Sequence, residues 1–324
     1  FALTAYHTAH LKLYYPSEFY VGLLNNQPMG FYSPAVIAGD AKRHGVAILP
    51  VDVNRSGEKA LCEDAATTAP GEALRDLSKT ISVHRKCRVH DVRLGFTSVK
   101  GLGEAEAKAI VAERERGGAY ASFDEFARRV GLKEEALRNL ALVGAFDAFG
   151  EARRALLWHA RDAHRTSPAF TRPALPLPGA QAPVLPILSE RERVALDYRI
   201  TGIPTGPQIM QFYREELDRR GVLPTIELEK HRHGELVRVG GAIVVKQHPE
   251  TAKGHVFLSL EDETGMANVI IRPAVYQKFK RVLDTTAAVV VSGPLQQVDG
   301  VTSVMCARLD GLELFVELKS RDWH

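Results

Sequence analysis

The sequence predicts an α+β multidomain chain, and three stretches predict it. Residues 99–110, VKGLGEAEAKAI, set a glycine-apolar-glycine turn directly ahead of strong helix formers. Residues 166–188 hold prolines at 168, 173, 176, 178, 183 and 186, the composition of a semi-rigid linker. From Leu236 onward, short β-branched runs replace helical periodicity. A chain of 324 residues, 45% hydrophobic and 25% charged, has room for about two or three globular domains.

Taken in order, Phe1 to Asn26 reads as helical. Tyr6, Leu13 and Tyr14 stand at core spacing, and Pro16 opens a second helix that carries Phe19, Leu23 and Leu24. Ser33 and Pro34 supply the N-cap and first position of a third helix, which Gly45 stops in a left-handed conformation. Lys42, Arg43 and His44 crowd its last turn, where they either complement the helix dipole or touch DNA or an incoming triphosphate. Val46 to Val53 reads as a short strand. Residues 58–91 form an irregular polar connection, with one short helix near Leu74 to Leu77.

Residues 92–165 are helical and hold the candidate site. Gly101 and Gly103 let the backbone turn tightly, so the amides from Leu102 to Ala105 can point outward together at a helix N-terminus. Such a nest of donors suits a phosphate, and the stretch reads as the second half of a helix-hairpin-helix. Lys100 and Lys108 flank it, so the candidate contacts are Lys100, Gly101, Leu102, Gly103, Glu104, Ala105 and Lys108. They are aimed at backbone and should be blind to base sequence. The bland alternative is that the glycines only cap one helix and start the next. Ala107, Ile110 and Val111 give the helix a narrow buried stripe. Ser122 then caps a helix carrying Phe123, Phe126 and Val130, and Leu132 to Leu142 is its partner. A second hairpin near Gly131 keeps one glycine and reads as structural. Arg153 and Arg154 begin a last helix, whose basic residues either reach DNA or face solvent.

After the linker, residues 189–235 read as a helical connector. Ser189 caps a helix through Asp197, and Pro207 to Arg220 forms another. Within it Gln208 to Tyr213, QIMQFY, is loosely similar to a sliding-clamp peptide, but a glutamine stands where that motif needs an apolar residue, and an amphipathic helix is the better reading. Strands are expected at Leu236–Val245, Val256–Leu260, Ala267–Ile271, Ala288–Val291 and Ser303–Ala307, with a helix from Pro273 to Leu283 between the third and fourth. That is the order of an OB-fold, and Gly240–Gly241 gives the bend a small closed barrel needs. The loop from Lys246 to Gly254 lies where such barrels grip single strands, making Lys246, His248 and Lys253 candidates. Phe257 either stacks on a base or fills the barrel. Lys278, Lys280 and Arg281 read as a solvated helix face, and Glu261-Asp262-Glu263 as a turn in preference to a metal cluster.

The formal charge of +3 makes any basic surface local. Cys62, Cys87 and Cys306 lie far apart, which argues against a disulfide scaffold or zinc site and for a reducing cytoplasm. No apolar run approaches the roughly 20 residues of a membrane span. The chain begins without an initiator methionine and reads as a fragment.

The run NNQPMGFYSPAVIAGDAKRHGV at 25–46, with VRLGFTSVKGLG, EARRALLW, LPILSERERVALDYRITG, TAKGHVFLSLEDETGMANVII and the final SRDWH, resembles the C-terminal portion of bacterial C-family DNA polymerases, in their error-prone, damage-inducible branch. The resemblance covers nearly the whole chain and is poor only across Glu58 to Asp91. It implies that residues 1–57 end a fingers domain, 92–165 form a tandem helix-hairpin-helix domain, and 236–324 form an OB-fold with a tail. It also implies that the intact polymerase copies past damaged bases with magnesium held by palm-domain aspartates. No matching palm sequence occurs here, so no catalytic residue, metal ligand or cofactor is expected in this chain. The chain stops at Ser320–His324, as in the branch without the replicative paralogue's extra C-terminal domain. Primer-template DNA is the implied partner, with accessory translesion proteins and, indirectly, the sliding clamp beside it. The rival reading is a platform that recruits the polymerase to those factors.

Overall fold

The computed structural model describes residues 1–30, 32–64, 90–165, 185–298, 300–316, 318 and 321–323, without the side chains of 161–165 and 321–323. The helix expected near Leu74–Leu77 and most of the proline-rich stretch, 166–184, lie outside the described residues. Two compact units emerge, one of residues 1–27 and 40–206, the other of 28–39 and 207–324.

The first unit begins with α1 (Ala2–Tyr14) and α2 (Pro16–Asn25), separated where proline fixes the backbone for a new helix start. The core spacing in α1 is not used: the helix buries no residue, and Tyr6 and Leu13 are exposed. Periodicity shows which side chains share a face, not what covers it. In α2 Ser17 and Tyr20 are fully buried, while Phe19, Leu23 and Leu24 are half-buried. Helix α3 (Pro34–Arg43), whose residues 34–39 count with the second unit and 40–43 with the first, is capped by Ser33, whose Oγ accepts from the Val36 amide at 3.4 Å, and is followed by Gly45 at φ +78°. Asp40 accepts from Tyr20 Oη at 2.8 Å and from Lys12 Nζ at 2.7 Å. Burial works against its charge, but those two bonds and the nearby cations outweigh burial and hold its pKa below the usual carboxylate range.

A small sheet follows, ordered β1 (Ile48–Leu49), β3 (Asp91–Arg93), β2 (Leu61–Glu63), with β3 parallel to β1 and antiparallel to β2. The strand expected over Val46–Val53 shrinks to two residues, since Pro50 brings no amide to a ladder. The helical part comprises α4 (Glu104–Gly117), α5 (Phe123–Arg129), α6 (Glu134–Leu142), α7 (Arg153–Arg165) and α8 (Glu190–Ile200). Ser122 and Ser189 cap α5 and α8, accepting from Glu125 and Glu192 amides at 3.2 Å. Phe146 stands edge-on to Phe123 and Phe126 at 4.9 and 5.1 Å, and Ile110, Leu137, Leu140 and Leu156 of the same unit are fully buried. Asn54 and Tyr120 exchange two bonds of 2.8 Å, and Arg114 donates to the carbonyls of Val53 and Ser56. These tie the far end of α4 to the segment after β1.

The second unit is an OB-fold barrel of β4 (Leu236–Gln247), β5 (Val256–Glu261), β6 (Met266–Ile271), β7 (Ala288–Val298) and β8 (Val301–Met305), with α10 (Pro273–Thr285) after β6. Strand β6 runs parallel to β8, and β4 closes the circle by pairing with both β5 and β7. The change of partner falls at Ala242, opposite Glu261 on one side and Ala288 on the other. Just before it, a Cβ on Gly241 would stand 2.8 Å from the Glu261 carbonyl oxygen, so the expected bend is also a close approach. Two strands extend this sheet beyond the five expected: β9 (Arg308–Leu312) on β7 and β10 (Arg321–Trp323), parallel, on β4. Pro207 to Arg220 is a 3-10 turn at Ile209–Tyr213 followed by α9 (Arg214–Arg219), in place of one helix. Ile209, Met210 and Tyr213 are buried, and Phe315 stacks 6.0 Å from the Tyr213 ring.

Asp262 is fully buried between β5 and β6. It accepts from Arg214, from the amides of Thr225, Thr264 and Gly265, and from both threonine hydroxyls, at 2.7–3.2 Å. The acidic triplet is therefore a turn that pins the connector to the barrel. Replacing Asp262 with alanine strands these donors and should cost about 3–5 kcal/mol. Urea unfolding of the variant with no shift in midpoint would show that the network contributes nothing.

Candidate nucleic-acid interface

The chain enters the hairpin from a 3-10 turn, Phe96–Ser98. From it the chain passes through Gly101 at φ +87° to Gly103, in extended conformation, and into α4. The Lys100 peptide is held from both sides: its amide donates to the Ile200 carbonyl at 3.0 Å, and its carbonyl accepts from Asn139 Nδ2 at 2.7 Å. Sequence reasoning missed Asn139. A poor helix former in the middle of α6 was the available signal.

Not all proposed donors point outward. The Leu102 amide bonds the Val99 carbonyl at 3.1 Å and its side chain is buried, and the Gly103 amide is taken by the Glu106 carboxylate at 3.1 Å. Glu104 and Ala105 are exposed in the first turn of α4, where amides have no intrahelical acceptor. Gly101, Lys100 and Lys108 are exposed as well. The nest therefore narrows to Glu104 and Ala105, flanked by two lysines and by the acids Glu104 and Glu106.

The cations ending α3 turn inward. Lys42 Nζ donates to the carbonyls of Pro204 and Gly206 at 2.7 and 2.6 Å, and burial lowers its pKa to about 8. Arg43 comes within 4.0 Å of Asp40 Oδ1, and His44 Nδ1 lies 2.8 Å from the Asp40 carbonyl oxygen. A helix's last turn gathers cations for its own carbonyls and acids, and that local chemistry occupies these groups.

In the barrel the candidates separate by face. Lys246 belongs to β4, not to the loop, and pairs with the core residue Leu258; it is 9% exposed, its stem running out to Asp284 Oδ1 at 3.1 Å. It is withdrawn from any surface. Phe257 lies between the core-facing Val256 and Leu258, hence on the outer face, half-buried, in one row with Gln247 and Ile270. The barrel core is built without it. His248 packs against the Tyr276 ring at 5.3 Å, and Lys253 is exposed in the left-handed conformation at φ +50°.

Two family models match the chain: a helix-hairpin-helix motif over residues 45–156 and an OB-fold nucleic acid binding domain over 237–315. Among curated relatives, an error-prone DNA polymerase of Cutibacterium acnes is 38% identical over all of this chain and 30% of its own length. That of Mycobacterium tuberculosis is 37% identical over all of this chain and 27% of its own, and error-prone DNA polymerase 1 of Rhizobium meliloti 37% over 99% and 29%. The chain thus spans less than a third of the length of the curated relatives it matches, and is similar to them throughout. No helix of the described residues is long and apolar enough to cross a membrane.

Lys42 offers a check on the inward-turned cations. Its folded pKa lies below the ordinary lysine value, so above about pH 8 the unfolded chain binds a proton that the folded chain does not. Stability should therefore rise from about pH 8 toward the ordinary lysine range, by at most about 1.4 kcal/mol per pH unit, relative to Lys42→Met. Denaturant titrations of both proteins at several pH values across that window, giving equal slopes, would place this amine in solvent.

Proposed function

We propose that this chain, homologous to part of the error-prone DNA polymerases, is their DNA-binding C-terminal portion, gripping duplex backbone with the hairpin and single-stranded template with the barrel. The observation that carries the reading is the glycine turn, which leads into the exposed first-turn residues Glu104 and Ala105, whose amides have no intrahelical acceptor, within the helix-hairpin-helix match. Those amides would donate to non-bridging phosphate oxygens at the positive end of the α4 dipole, with Lys100 and Lys108 beside them. Copying past damaged bases, with magnesium on palm carboxylates, belongs in this reading to the intact polymerase.

On the barrel, Phe257 and Ile270 offer an apolar outer surface for bases, and Lys253 a charge for the backbone. Holding a lysine at positive φ costs about 1–2 kcal/mol that glycine would avoid, which favours a use for its charge. Accessory translesion proteins or a sliding clamp would need a surface other than Gln208–Tyr213, whose apolar anchors are buried.

Binding of labelled duplex and single strands across a salt series tests both grips. Gly103→Val keeps an allowed backbone conformation, and its Cβ meets only the flexible Glu106 carboxylate. It should weaken duplex binding about tenfold, equally across sequences, if a charge-assisted bond to phosphate is lost. Lys100→Ala with Lys108→Ala should lower the salt slope by up to about 0.9 per contact. Duplex affinity that stays parental in a normally melting Gly103→Val protein makes the hairpin a structural turn.

Phe257→Ala should cost single-strand binding about 1–3 kcal/mol while leaving duplex binding unchanged. Equal single-strand affinity for variant and parent would remove the outer barrel face from the interface.

A further inference from the structure

Beside the hairpin turn lies an open cleft of about 560 Å³, built by Lys100, helix α6 and the end of α8. Such a volume lies within the roughly 300–1,000 Å³ typical of ligand-holding clefts. Half-buried Leu142 and buried Ile200 supply its apolar lining, and its exposed cations come from three separate elements: Lys100, Arg138 and Arg199. Glu134 and Glu135 also line it, and Glu134 lies 3.6 Å from Arg138. The cations outnumber the acids by one. Among the described residues Arg199 carries no ion pair, though it stands in the last turn of α8 beside the carbonyl that holds Lys100. Two apolar side chains beside three cations match a sugar-phosphate unit, whose deoxyribose presents C–H groups and whose phosphate is anionic.

We infer that this cleft is a second phosphodiester site, in which Arg138 and Arg199 take backbone phosphates next to the one held at the turn. The inference rests on the duplex-binding reading of the hairpin and extends the footprint by residues outside the glycine motif. The Lys100 peptide joins the two sites, because the bonds that aim the turn also fix α6 and α8 around the cleft.

The test is the salt dependence of binding of a fluorescein-labelled duplex by the full chain, comparing Arg138→Ala/Arg199→Ala, Gly103→Val and Arg116→Ala. Arg116 is exposed at the opposite end of α4, about 20 Å along the helix from the turn. The double arginine variant should lower the slope of log K against log salt by about 1.8, and Arg116→Ala should leave it unchanged. Replacement of both arginines by lysine should restore most of the slope. An unchanged slope in the double alanine variant, with binding weakened in Gly103→Val, would overturn the cleft and leave the hairpin standing. Parental binding by both would overturn the hairpin and the cleft together. An equal drop in Arg116→Ala would assign the effect to bulk charge and likewise remove the cleft. Thermal melting of each variant guards against unfolding, and both arginines are exposed.

Discussion

The peptide of Lys100 is the constraint on which the candidate interface depends. A glycine pair alone allows many paths, and Gly101 at φ +87° is only one of them. Fixing the Lys100 amide to Ile200 and its carbonyl to Asn139 selects one path. The direction of the turn is thereby set by α6 and α8, two helices distant in sequence. Preorganisation of this kind matters because the proposed ligand contacts are backbone amides, which cannot swing to follow a phosphate as a lysine side chain can.

The second unit solves a different problem with a similar device. Strand β4 must serve two neighbours, and it changes partner at Ala242 after a glycine that lets the Glu261 backbone come close. At the same corner, Asp262 gathers the connector's donors into one buried carboxylate. A buried charge with so many donors is tolerable, whereas a half-satisfied one would not be. Closing the barrel leaves Phe257 outside, because strand alternation gives the interior to Val256 and Leu258.

How much of this was legible in the sequence follows from how local each signal is. Helix starts at Ser33, Ser122 and Ser189 were readable because a cap and its amide lie within three residues, and the start at Pro16 because proline suits the first turn of a helix. The strand order of the barrel was readable from alternation, but β9 and β10 were not, being short and flanked by little turn punctuation. Side-chain destinations were the hardest. Lys42 and Lys246 look like any surface lysine in sequence, yet one meets carbonyls 162 and 164 residues away and the other an aspartate 38 residues away. The expected core of α1 failed for the converse reason, as its spacing is sound but no described element covers it.

Charge then decides what kind of DNA grip the hairpin unit can have. Glu104 and Glu106 sit on the very turn that is proposed to hold phosphate, and Glu134 and Glu135 line the adjoining cleft. Their repulsion acts over about a Debye length, near 8 Å at physiological salt, so it offsets part of what Lys100, Lys108, Arg138 and Arg199 contribute. In the proposed reading, the stabilisation that survives comes from short, directional bonds to phosphate, from amides and from cations at contact distance, and not from a broad positive field. A grip so built carries no base recognition and a shallow potential along the duplex axis. Each phosphate step would present the same acceptors to the same amides, so a grip of the proposed kind would hold DNA across its axis while leaving it free to advance along it.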